Sequence, residues 1–500
     1  MFKKIIVLFT LALLLFSFGA GAQEKVLNFA TSSEIVGLSP VLTNDNVTSD
    51  VLAQIYDTLF VRNPETNEIE PSLAVSYENP DSKTWIIHLR EGVTFHDGTP
   101  FNAEAVKFTF ERIGDPEVAS PRASLVEPIE SIEVRDEHTV VMKTKYPYGP
   151  FLATLTHSNA SIVSPTSVEK YGDLMQNEAG TGPYVVDEWV SGDHITLKKN
   201  EDYWGETGNV DKLVFKIVPE AATRIAMLET GEVDFLDTIP PEHLDRLKNN
   251  SDIEVKLVQG SPIRYFGFNF KKEIFNNLKL RQAIAHAVNQ EALVSTLNGL
   301  GYASHGIIGP KVFGYKEEIE EYGFEYDLEK ARELLAEAGY PDGFETTIWS
   351  TSYDTYYQRM AQILQAELKK IGIDANVKLL EWGSYLSATQ KGEQDLFLLG
   401  WSNLTGDGSE LIYPNLHSDN LGGANRSFYE GADEMITATR TTVDQEERLR
   451  LLHEANKYLV EQAVWIPLYH QTVVAATRNN VSNLIIKPNG EWLVKDVMLD

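Results

Sequence analysis

The chain has 500 residues, 43% hydrophobic and 10% aromatic, with 43 basic against 73 acidic side chains and a formal net charge of -30. That length is more than one hydrophobic core serves, so two or more domains are expected, and the composition excludes a disordered chain. The acidic balance argues against nucleic acid or an anionic membrane surface as partner, and the absence of cysteine excludes disulfides, thiolate metal sites and cysteine nucleophiles.

In chain order, Lys3 and Lys4 precede an almost wholly apolar run from Ile5 to Phe18, and Ala20-Gly21-Ala22 matches a small-residue cleavage pattern. The run is short for a membrane span. Residues 1–22 therefore read as a signal peptide cleaved after about Ala22, with the mature chain starting at Gln23. With no cysteine to carry a lipid anchor, the expected location is a periplasm. The first mature strand, Val26 to Ala30, is followed by Thr31-Ser32-Ser33, whose hydroxyls either face a cleft or form a turn; Ser33 is a candidate ligand contact.

Hairpin-like strands dominate from Ser72 to Lys145. Thr84 to Arg90 alternates as a strand, His96-Asp97-Gly98-Thr99-Pro100 makes a turn, and Asn102 caps a helix from Ala103 to Ile113. An α/β stretch follows around Gly182 to Phe235. The second half alternates helix and strand. Asp327 caps Leu328 to Ala338, which Gly339 stops; Thr346 to Trp349 is a strand, Tyr356 to Ile371 a helix stopped by Gly372, and Asn376 to Leu380 a strand. Gln445 to Glu461 is a further amphipathic helix, followed by the apolar stretch Ala463 to Tyr469. Such alternation predicts a largely parallel α/β sheet.

One loop in that half stands out. Leu396 to Leu399 is a continuous apolar run suited to a strand covered on both faces, and it ends in Gly400-Trp401 and a polar loop with Asp407 between Gly406 and Gly408. Ligands of open α/β sheets sit beyond such strand ends, so the loop is either a surface turn or the edge of a site.

No signature of catalysis appears. The dinucleotide, phosphate-loop and zincin motifs and the hydrolase nucleophile elbow are absent, and the eleven histidines show no pair at metal-ligand spacing. His96 beside Asp97 belongs to a turn and reads as structural. No cofactor and no metal are expected.

Several segments together resemble the family 5 extracellular solute-binding proteins, the receptors of peptide, nickel and glutathione ABC importers. The most specific is WIIHLREGVTFHDGTPFNAEAVKFTFERI, Trp85 to Ile113. GTGPYVV (Gly180 to Val186), NEDYWG (Asn200 to Gly205), RQAIAHAVN (Arg281 to Asn289), YDLEKARELLAEAGYPDGF (Tyr326 to Phe344) and LLGW (Leu398 to Trp401) follow in the family's order. The resemblance covers essentially the whole mature chain. It implies an α/β periplasmic binding protein of type II, cluster C-like, with two lobes and a β-rich subdomain inserted in the first. The implied boundaries are residues 23–265 for the first lobe's N-terminal part with the insert at about 55–180, residues 266–473 for the second lobe, and residues 474–500 for a return to the first.

The implied function is capture of a small peptide-like solute (dipeptide, oligopeptide or glutathione) by hinge closure and delivery to a membrane permease, by a monomer that is not an enzyme. A receptor for a small sugar or metal chelate is the alternative, and a secreted hydrolase a remoter one. By the resemblance, Asp407 sits where dipeptide receptors hold the ligand ammonium, Gly406 lets the backbone approach, and Trp401 forms an apolar wall. The chain departs from the dipeptide pattern in two ways. Asp407 precedes Gly408-Ser409-Glu410 in place of proline and a second acid, and the loop Ser350 to Gln358 lacks the carboxylate-binding arginine. Its GWSNLTGDGSEL segment is more similar to glutathione-binding members. Tyr353 and Tyr356 then offer hydroxyls and ring faces in place of the arginine, and Asn159 is placed near the lobe junction.

Overall fold

The computed structural model describes residues 24–352 and 355–500. The expected signal peptide and Gln23 lie outside the described residues. The largest sheet has eleven strands, and its order explains the architecture. At one end, Glu345–Thr351 lies parallel between Asp374–Leu380 and Leu396–Trp401, and Leu396–Trp401 pairs antiparallel with the second half of Ile253–Phe268. At the other, Val26–Thr31 lies parallel between Lys212–Ile217 and Phe235–Leu236, and Phe235–Leu236 pairs with the end of Trp465–Arg478. Among the described residues, only Ile253–Phe268 (16 residues) and Trp465–Arg478 (14 residues) belong to both halves, and they pair with each other. The mixed α/β fold therefore has two lobes joined by one antiparallel ribbon.

That ribbon is broken in the middle. Gln259 pairs with Thr472 and Ile263 with His470, so Gly260, Ser261 and Pro262 face the single residue Gln471. Pro262 has no N–H to give to the ladder, and the bulge bends the strand where the two lobes meet. Ser261 ties the bend to both sides: its N–H donates to the Pro488 carbonyl at 2.8 Å and its hydroxyl to the Asn403 carbonyl at 3.0 Å.

Each half has its own core. In the first lobe, Leu27, Phe29 and Phe215 pack with Trp492, whose ring stacks on Phe215 at 5.5 Å, so the C-terminal segment is part of this lobe. The antiparallel sheet of Ala74–Asp81, Thr84–Leu89, Thr139–Thr144 and Ile129–Asp136 closes over the helix Ala103–Gly114 around Trp85, Ile87, Phe110 and Met142. Asn102 caps that helix, accepting from Ala105 N at 3.1 Å. In the second lobe, Leu396 and Leu398 enter one core while Phe397 and Leu399 enter another on the opposite face. The apolar run is thus a strand covered on both faces, as its composition predicts.

The apolar stretch Ala463 to Tyr469 runs into the strand Trp465–Arg478, which continues through polar Gln471 and Thr472 into Val473-Val474 and so carries the chain back to the first lobe.

Candidate functional site

A cavity of about 630 Å³ opens between the lobes against the ribbon's broken segment, with Pro262, Tyr469 and Gln471 among its lining residues. The first lobe contributes Thr31 and Ser32 at the end of its first strand, and Ser49 and Asp50 from the helix Asn46–Ile55. That helix starts where it does because Asp45 caps it, accepting from Thr48 N at 2.9 Å. Asp237 and Glu491 complete this wall. The second lobe contributes Arg264, Tyr356, Ser402 and Leu404.

The two walls differ in charge. Asp50 is only 7% exposed, lines the cavity, and its carboxylate has no hydrogen bond or ion pair among the described residues. Burial, reinforced by the charges of Asp237 and Glu491, pushes its carboxyl well above the ordinary range, and Lys487 pulls it the other way. Asp237 is also raised by burial, although Trp492 Nε1 and the Thr238 hydroxyl donate to it at 3.2 and 3.1 Å. Glu491 pairs with Lys487.

On the facing wall, Arg264 Nη2 donates to Gln471 Oε1 at 3.3 Å. Its guanidinium lies across Gly400, where an added Cβ would come within 2.7 Å of Arg264 Cδ and Nη1. The glycine at the end of the apolar strand therefore makes room for an arginine of the neighbouring strand. Arg122 is a second cavity-lining arginine, and its buried Nε has no partner among the described residues. Nearby His157 is pushed down to about 3 by burial, with the Arg122 charge in the same direction, so it is neutral; its Nδ1 accepts from Asn159 N at 3.0 Å.

Of the residues read from the sequence, Tyr356 and Asn159 line this cavity. Asn159 is largely engaged, its amide nitrogen donating to the Pro40 and Thr43 carbonyls at 2.6 Å each. Ser33 is exposed and off the cavity, which Thr31 and Ser32 reach instead. Tyr353 lies outside the described residues. Trp401 is half-buried and packs on the second-lobe core without lining the cavity. Gly406, at φ +69°, is pressed against Arg62, whose Cδ an added Cβ would meet at 2.7 Å.

Asp407 is elsewhere altogether. Its carboxylate makes a bidentate pair with Arg448, at 2.7 Å to Nη1 and 2.5 Å to Nη2, and accepts from the Ser409 N–H and hydroxyl at 2.9 and 2.7 Å. Burial alone would raise this carboxyl; the Arg448 charge and these hydrogen bonds outweigh it and hold it below the ordinary range. Asp407 caps the helix Gly408–Leu416 and has no oxygen facing the cavity, so the geometry does not offer it to a ligand ammonium. The loop sequence cannot show this, because Arg448 comes 41 residues later.

His96 and Asp97 are structural. His96 Nδ1 meets Glu178 at 2.7 Å, and Asp97 accepts from the Ser164 and Ser167 hydroxyls at 2.5 and 2.7 Å. Sequence reading missed Asp50 and Arg264. A lone acid in a short helix and a lone arginine in an apolar strand were the available signals.

A family model described as bacterial extracellular solute-binding proteins, family 5 middle, matches residues 68–423. The glutathione-binding protein GsiB of Shigella flexneri is 34% identical over 485 residues, 94% of this chain and 94% of its own. The structure of HbpA2 from Haemophilus parasuis matches with a TM-score of 0.88 at 28% identity, over 95% of this chain and 100% of that one. The periplasmic binding protein DppA of Helicobacter pylori, in complex with the peptide STSA, matches with a TM-score of 0.77 at 31% identity, over 95% and 98%.

Proposed function

This chain belongs to the bacterial extracellular solute-binding proteins of family 5, and from that premise we propose that it captures a small peptide-like solute and hands it to the permease of an ABC importer. The observation that carries the reading is the cavity between two lobes that share a single bulged ribbon. Its volume of about 630 Å³ suits a ligand of dipeptide to glutathione size. One wall is rich in carboxylate and the other carries Arg264, which matches a solute bearing both an ammonium and a carboxylate. Similarity to a glutathione-binding protein and to a receptor solved with a peptide supports the same cargo class.

The protein acts as a receptor and not as a catalyst, and it works as a monomer. Among the described residues no helix is long and apolar enough to cross a membrane. With residues 1–22 removed on export, it operates in a periplasm. Binding closes the lobes because a ligand touching both walls is held better in the closed arrangement.

Thermal unfolding of the mature chain against dipeptides, longer peptides, glutathione, disaccharides and nickel chelates tests this. A true ligand at a hundredfold excess over its dissociation constant stabilises the fold by about 2.7 kcal/mol. A shift with glutathione or short peptides is expected. A shift confined to sugars or chelates overturns the cargo assignment.

A further inference from the structure

Three carboxylates, Asp50, Asp237 and Glu491, line the first-lobe wall, and they are not equally provided for. Glu491 has Lys487, and Asp237 has Trp492, Thr238 and the nearby charge of Arg224. Asp50 has the charge of Lys487 in its surroundings but no hydrogen bond or ion pair among the described residues, although it is more than nine-tenths buried and lines the cavity. A buried carboxylate without a partner is costly, and a fold retains one most readily where a ligand completes it.

We propose that Asp50, flanked by Asp237 and Glu491, receives the ammonium group of the ligand. This deepens the reading of a peptide-like cargo and rests on it. A metal ion is the poorer occupant, since among the described residues no three acidic or histidine side chains converge closely enough to hold one. A polycation is disfavoured by Arg122 and Arg264, which line the same cavity. What fits is a zwitterion whose ammonium docks on the first lobe and whose carboxylate meets Arg264 as the second lobe closes. The three hydrogens of an ammonium suit this wall, because each remaining oxygen of the three acids accepts and none donates when ionised.

The test compares reduced glutathione, Ala-Ala and tri-alanine, each beside an analogue whose α-amine is replaced by hydrogen, by calorimetric titration of the mature chain. For the amine-bearing probe that the wild type binds, Asp50→Asn is expected to lower affinity at least tenfold. The wild type binds the desamino analogue as weakly as the variant does, and the substitution then changes little. Circular dichroism and the thermal midpoint of the empty variant check its fold. Asp237→Asn, which keeps neutral hydrogen bonding to Trp492 and Thr238, provides a second variant with a smaller loss. Undiminished binding of the amine-bearing probe by a folded Asp50→Asn overturns this inference and leaves the peptide-like cargo standing. Failure of the wild type to bind any amine-bearing probe overturns both.

Discussion

Asp407 and Arg448 are both withdrawn from water, at 3% and 1% side-chain exposure, so each charge depends on the other. Asp407→Ala leaves a buried guanidinium facing an empty site, and the expected loss is about 3–5 kcal/mol in urea unfolding. The native carboxyl is held below its unfolded value, so its contribution is present above the ordinary carboxylate range and is lost as pH falls through the folded value. The variant and wild type therefore converge in acid. Asp50 behaves in the opposite sense. Its folded value is raised, so it costs nothing at pH values where it is protonated in both folded and unfolded chains, and the cost grows as pH rises above its unfolded value towards the raised folded one. Asp45, Asp237 and Glu491 add to the effect and Lys487 opposes it. Empty Asp50→Asn is thus expected to unfold at a higher temperature than the wild type near neutral pH and at the same temperature in strong acid. Glu410 is raised as well but is not among the charges acting on Asp50 and cancels in the comparison, whereas Asp237 loses a repelling neighbour in the variant and adds to the gain.

At the level of elements, the strand Leu396–Trp401 carries glycine at its penultimate position, where a neighbouring strand's arginine needs the room. Gly400→Ala places a methyl 2.7 Å from Arg264 Cδ and Nη1 and 2.8 Å from the Ile263 carbonyl. The guanidinium has to leave its bed, and the backbone oxygen cannot move as easily. The expected cost is about 1–3 kcal/mol of stability together with weaker ligand binding, read by thermal unfolding and titration of one sample. Elements governed by local signals were legible in the sequence. Asn102 and Asp327 cap their helices, Gly339 and Gly372 take positive φ where helices stop, and alternate residues of Leu396–Leu399 enter two cores. The site was legible only where strand ends announce a cleft, at Thr31 and Ser32, and through Tyr356 and Asn159. The Asp407 loop reads as a binding edge in the sequence, because the arginine that engages its carboxylate, Arg448, comes from a distant helix. Asp50 was missed because burial without a hydrogen-bond partner is a property of the packed molecule, and Arg264 because its place on the cavity wall depends on the pairing of distant strands.

For the whole molecule, the ribbon decides what can move. Opening the lobes must separate Gly149 N from the Arg440 carbonyl, 2.7 Å apart, and Asn489 Nδ2 from the Leu404 carbonyl, 3.2 Å apart, while the long strands stay paired. Each such hydrogen bond is worth only about 0.5–1.5 kcal/mol net, because water replaces it. A ligand that bridges Asp50 and Arg264 adds contacts that only the closed arrangement provides, and so shifts the balance towards closure. A compact chain of this length has a radius of gyration of roughly 23 Å, and an open two-lobed molecule lies above it. Small-angle scattering is expected to show that radius falling when the ligand is added to the wild type. Arg264→Gln removes the charge on the second lobe but leaves the acids of the first. It should still take up an amine-bearing ligand at raised concentration, with no contraction, because the bound molecule no longer pulls on both walls. Equal contraction in Arg264→Gln at saturation would show that closure is driven from elsewhere in the cavity, by Tyr356 or the loop at Ser402.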